Sequence, residues 1–145
     1  MKAITLWQPW ASLVALGPKK VETRSWTTKH RGELAIHSAS AMPSRYLGRS
    51  RYGKEFGDQL QQVLGCPPHE LMSKTMALPR GFVLCIVRLL DVIPVDRCRE
   101  DLSERERIFG NYDDGRYAWF LEMVHVLKEP VPAKGNRMLW NWHWK

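Results

Sequence analysis

No apolar run in this 145-residue chain approaches the roughly 20 residues needed to span a bilayer, which excludes a transmembrane helix as its organising element. Cysteine is scarce and odd in number. Cys66, Cys85 and Cys98 show no CxxC spacing, so neither a disulfide framework nor a metal site is expected. Cys85, inside "GFVLCIVRLL", reads as a small core residue. The chain has no P-loop, no dinucleotide fingerprint and no GxSxG, so no cofactor is expected. No repeat or low-complexity tract divides it, and its length suits one domain over residues 1–145. The amino terminus, "MKAITLWQPW", carries one lysine, and Gln8 and Pro9 break its apolar stretch. It reads as a first strand rather than a signal peptide, and the protein is expected in the cytoplasm.

What is present is positive charge, unevenly placed. The net charge is +7, yet residues 1–54 hold ten Lys/Arg against only Glu22 and Glu33, and the remainder is nearly neutral. Such asymmetry points to a polyanion-facing surface, most often one for nucleic acid. The 44% hydrophobic content fits a globular domain with one real core.

Alternation predicts strands at "MKAITLW", "KVETRSW" and "ELAIHSA". "QPWASLVALG" predicts a helix, with Pro9 in its first turn and Gly17-Pro18 ending it. Phe56, Leu60, Val63 and Leu64 recur at helical spacing in "KEFGDQLQQVLG". "GFVLCIVRLLDVIPV", apolar on both faces, predicts the most buried strand. Ser103 caps a short helix in "DLSERERIFG", and another strand runs from Tyr117 to Leu127. "LWNWHWK" closes the chain with Trp140, Trp142 and Trp144 on one face, a stripe that reads as packed core. Strands separated by short helices imply an α+β, barrel-like domain.

The segment "LGPKKVETRSW" concentrates charge beside an aromatic ring. In an extended strand Glu22, Arg24 and Trp26 share a face, with Lys19 at its entrance. Left buried and unpaired, each charge would cost several kcal/mol, on the order of the effective ion-burial penalty. They therefore line a wet cleft or pair with one another.

"LWQPWASLVALGPKKVETRSW" resembles the signature of the ASCH domain family, named for homology to an activating signal cointegrator. The family's Gly-x-Lys-x-x-Glu-x-Arg pattern is met by Gly17, Lys19, Glu22 and Arg24. "GELAIHSA", "GRYAWFLE" and "PVPAKGNRMLWNW" resemble further family blocks, so the likeness covers nearly the whole chain. It implies a PUA-like fold: a small β-barrel with surrounding short helices and a cleft at the barrel mouth. It also implies work on nucleic acid or nucleosides, the family having been associated with DNA or RNA binding, RNA cleavage and deacylation of acetylated cytidine.

Roles follow from side-chain chemistry. Lys19 suits a phosphate or a carbonyl, and Arg24 offers a planar fork for a phosphate or base edge. Trp10 and Trp26 suit base stacking. His37 and Ser38 fall near the expected mouth, and Lys134 at a glycine turn suits a phosphate. Arg45, Arg49, Arg51 and Lys54, with Tyr46 and Tyr52 interleaved, compose a backbone-tracking rim. The expected partner is DNA or RNA, single-stranded favoured, with no membrane involved. The alternative is a small hydrolase acting on RNA or an acylated nucleoside, with Lys19 and Glu22 as candidate catalytic residues. The deacylase subgroup pairs its lysine with a threonine nucleophile three positions on. Here that position holds Glu22, and alternation turns the neighbouring Thr23 to the opposite face.

Overall fold

A computed structural model describes residues 1–43 and 53–144. Its strands are β1 (Lys2–Leu6), β2 (Val21–Arg24), β3 (Gly32–Ser38), β4 (Phe82–Pro94), β5 (Tyr117–Pro132) and β6 (Leu139–Asn141). Its helices are α1 (Trp10–Ala15), α2 (Lys54–Leu64), α3 (Leu71–Met76) and α4 (Glu104–Ile108), with single 3₁₀ turns between some of them. The strands form one mixed sheet in the order β2-β5-β4-β3-β1-β6. Only β1 and β3 run parallel, joined by a crossover through α1 and β2; the other ladders are antiparallel.

Alternation explains the two cores. Ile4, Leu6, Leu34, Ile36, Leu84, Leu89 and Trp119 pack on one face beneath Ala11 and Val14 of α1. Ala3, Ala35, Val83 and Ile86 turn to the other face and meet Leu127, Trp140 and Trp142. The strand expected to be the most buried is β4; it is buried at residues 83–87 and 89, while much of its second half is exposed or half-buried. Its Cys85 is fully buried, where desolvation pushes the thiol up to about 12. Trp140 and Trp142 are core, whereas Trp144 lies beyond β6 and is half exposed, stacked on Trp142 at 5.5 Å. A third cluster joins Leu13, Phe56, Leu60 and Phe109 between α1, α2 and the end of α4.

The α+β class is as expected, but the barrel is not closed: among the described residues no ladder joins the edge strands β2 and β6. Register shifts in the β3–β4 and β4–β5 ladders mark where the long strands bend. The outward-facing groups of β2 are capped by side chains rather than by another strand, as the site geometry shows. No helix among the described residues is long and apolar enough to cross a membrane.

Candidate functional site: a cleft at the capped edge of the sheet

The signature begins where α1 ends. Gly17 adopts φ 103°, a conformation that strains any side-chain-bearing residue, and the chain turns there into β2. Lys19 N–H returns to Leu13 O at 3.1 Å, anchoring the turn.

In the β2–β5 ladder Leu121 N–H donates to Lys20 O, and Glu22 lies opposite Trp119. Alternation therefore directs the main-chain groups of Val21 and Thr23 away from β5, to an edge with no further strand among the described residues. Side chains meet every one of them. Glu106 accepts Val21 N–H at 3.1 Å with one carboxylate oxygen and Lys20 N–H at 3.1 Å with the other. Lys19 Nζ donates to Val21 O at 2.6 Å. Glu22 Oε1 accepts Thr23 N–H at 3.0 Å, and Arg116 Nη2 donates to Thr23 O at 3.0 Å. Four charged side chains thus perform the hydrogen bonding of a missing strand, which also blocks edge-to-edge association. α4 delivers Glu106 because Ser103 Oγ caps that helix by accepting the Glu106 N–H at 3.1 Å.

Lys19 is 1% exposed. Its ammonium also donates to Phe109 O at 3.3 Å and lies 3.6 Å from Glu22 Oε1. Phe109 O takes a further bond from Trp10 Nε1 at 2.9 Å. One carbonyl thus ties the end of α4 to both α1 and the signature.

Beside this edge lies a cleft of about 330 Å³, lined by Thr5, Trp7, Trp10, Glu22, Thr23, Arg24, Phe109, Gly110, Asn111 and Arg116. Trp7, just past β1, is 53% exposed, while Trp10 is half-buried and tilts against Phe56. Arg24 Nη1 meets Glu22 Oε2 at only 3.5 Å, the outer limit of a hydrogen bond, and its guanidinium lies 5.8 Å from the centre of the Trp26 ring. Trp26 packs edge-on against Trp119 at 4.8 Å and supports Arg24 from outside the lining. Behind Gly110 stands Tyr112, whose buried hydroxyl has no hydrogen-bond partner among the described residues. Burial, then Glu106 and Glu22, hold its phenol well above the usual range.

The sequence-selected residues therefore separate. Trp10, Glu22 and Arg24 line the cleft; Lys19 stands behind it; Trp26 buttresses it. His37 and Ser38 are buried within the fold. Ser38 Oγ bonds Phe82 main chain, and both nitrogens of His37 are engaged. His37 Nε2 is 2.7 Å from Ala133 O and must donate to it, so Nδ1 accepts from the Thr5 hydroxyl at 3.1 Å. Thr5 Oγ1 in turn accepts Trp140 Nε1–H at 3.0 Å. Lys134 is exposed beside this network, and Lys54 pairs with Asp58 on α2. Arg45, Arg49, Arg51, Tyr46 and Tyr52 lie outside the described residues. Sequence reasoning missed Trp7, Glu106, Asn111 and Arg116. Trp7 and Arg116 carried a signal, since they lie inside the family-like blocks "LWQPWASLVALGPKKVETRSW" and "GRYAWFLE". Among the described residues no cluster of His, Cys, Asp or Glu is placed to hold a metal.

Burial holds the His37 pKa below 6.5. Between that lowered value and 6.5 the unfolded chain binds more protons, so this contribution to stability is complete above 6.5 and declines as pH falls through the folded value. The melting temperature should decrease from about pH 7.5 to about pH 5, and His37→Gln should flatten that slope in thermal scans. A slope unchanged in the variant would assign the proton uptake elsewhere.

A six-stranded mixed sheet with short helices and a charged signature at its edge defines a small PUA-like α+β domain. The chain belongs to the ASCH domain family, whose sequence model matches residues 4–131. It is 26% identical over 137 residues to activating signal cointegrator 1 of Homo sapiens and, equally, of Mus musculus, an alignment covering 94% of this chain. The chain spans 21% of the length of those relatives. Among solved structures it resembles ASCH from Zymomonas mobilis, with a TM-score of 0.55 and 14% identity over 99% of this chain and 87% of that one. A point mutant of the same protein superposes with a TM-score of 0.53 at 15% identity, covering 99% and 88%. These likenesses establish the fold.

Proposed function

We propose that this domain binds DNA or RNA in single-stranded form, with one unpaired base entering the cleft. The observation that carries this reading is the cleft itself: two indoles, one of them half exposed, beside the loosely held guanidinium of Arg24 in about 330 Å³. A base stacks on Trp7 or Trp10, contacts worth about 1–3 kcal/mol each in single-strand binders. Arg24, supported by Trp26, meets a base edge or phosphate. The basic first third of the chain, with Arg45, Arg49 and Arg51, and the exposed Lys134 attract the backbone. Lys19, His37 and Ser38 are buried and hydrogen-bonded within the fold, so contact with the nucleic-acid strand falls to the other residues named.

Affinity for short fluorescent single strands should fall steeply with salt. Trp7→Ala should weaken binding by about 5- to 150-fold, the equivalent of about 1–3 kcal/mol. Arg24→Ala should weaken it as well. Arg45→Ala/Arg49→Ala/Arg51→Ala should reduce the salt slope. Salt-independent binding, or none, would reject the reading. The alternative, a hydrolase of RNA or of an acylated nucleoside, rests on the Lys19–Glu22 pair at 3.6 Å. Lys19's two carbonyl bonds and its burial weigh against acid–base work. Oligonucleotide cleaved during the titration, or acyl-nucleoside consumed, would favour it.

A further inference from the structure

The edge of the sheet changes character where β2 begins. Opposite β2, every outward group is capped by a charged side chain. β5 runs on past that ladder, and from Glu122 no strand among the described residues pairs with its outer side. Counting on from Leu121, which bonds Lys20, alternation brings the main-chain N–H and C=O of Met123 to this free edge. Beside it lies a second hollow of about 340 Å³, lined by Val14, Gly17, Lys19, Lys20, Val87, Leu90, Leu121, Glu122 and Met123. Large apolar side chains stand exposed here: Leu90 and Met123 in the lining, Leu16 and Val124 next to it in sequence.

The charges at this hollow are unequal. Glu122 is engaged by Arg88 at 2.8 Å, and Lys19 is engaged by its two carbonyls. Lys20 is exposed, and its ammonium has no partner among the described residues. An open strand edge, an apolar groove and one uncompensated cation together match a strand-addition site.

We infer that the β5 edge and its groove dock a short, extended, acidic-apolar peptide segment of a partner protein, added antiparallel to β5 as a continuation of β2. Main-chain bonds to Met123 set its register, an apolar side chain enters between Leu90 and Met123, and a flanking carboxylate meets Lys20. A second copy of this chain fits poorly. Val124 is bulged out of the β4 ladder, and residues 127–130 lie opposite Leu84 alone, so a long two-fold pairing of β5 with itself loses register.

Amide chemical-shift mapping of the whole chain with the blocked peptide acetyl-Asp-Val-Leu-Val-Asp-amide tests this. Shifts should concentrate at residues 119–126 and around Leu90. Lys20→Glu and Leu90→Asp should each weaken the peptide by about tenfold or more. The Asp-to-Lys peptide should bind more weakly, and backbone N-methylation should abolish binding. Leu90 is exposed, so Leu90→Asp should fold and keep its oligonucleotide affinity, separating this surface from the cleft. Absence of shifts at the edge with millimolar peptide would overturn the inference. So would equal binding of the N-methylated peptide, or sedimentation showing a dimer that protects the edge.

Discussion

Lys19→Ala is expected to unfold this domain more readily, by about 3 kcal/mol, rather than merely to weaken a ligand. The substitution leaves Val21 O without its 2.6 Å donor, removes one of the two donors to Phe109 O, and takes away the buried cation facing Glu22. It also empties the space of a fully buried four-carbon stem. Urea unfolding of the variant should show a lower midpoint at unchanged m. A lysine that contacted ligand from an open cleft would give the opposite pattern, with stability kept and affinity lost. Glu22→Gln separates the contributions further, because it retains an acceptor for Thr23 N–H while removing the charge between Lys19 and Arg24.

Gly135→Ala is the second large effect, at about 2–3 kcal/mol, and it arises from space rather than backbone strain. A Cβ there would stand 2.6 Å from His37 Cε1 and 2.7 Å from both His37 Nδ1 and Thr5 Oγ1. Neither side chain has freedom to retreat: the imidazole is held at both nitrogens, and the Thr5 hydroxyl lies between His37 and Trp140. Displacing them breaks a chain of hydrogen bonds linking β1, β3, β6 and the segment after β5. The melting temperature should drop, and the pH dependence assigned to His37 should weaken with it, since a ring forced out of burial titrates closer to 6.5. A variant that melts like the parent would show that the segment around Gly135 can move aside, and the close packing on His37 would then not be a constraint.

The edge strand explains why so many charges gather in "GPKKVETRSW". An exposed strand edge invites association, and natural sheets blunt it with charge. Here the charges also satisfy the strand's own main chain. The cost of burying them is offset because each is hydrogen-bonded to a peptide group or paired with its neighbour. Two consequences reach the cleft. Its rear wall is rigid, since Lys19, Glu106 and Arg116 are each bonded to β2. Its loosely held polar group is Arg24, with one 3.5 Å contact and an aromatic support.

Periodicity and turn chemistry by themselves determined the strands, the helix ended by Gly17, the cap at Ser103, and the burial of the first half of β4 and of Trp140 and Trp142. These are properties of near neighbours, and short-range alternation writes them directly into the chain. Spacing also brought Glu22 and Arg24 together, two residues apart on one strand. Only the tertiary structure decided what Lys19 does, because one of its acceptors, Phe109 O, lies 90 positions away. The same holds for Glu106, which reaches Val21 across 85 positions, and for His37, fixed by Ala133 across 96. Local pattern distinguishes inside from outside on one strand. Whether a buried charge faces a ligand or a distant carbonyl depends on which remote segment the fold brings opposite it, and no spacing within the signature contains that information.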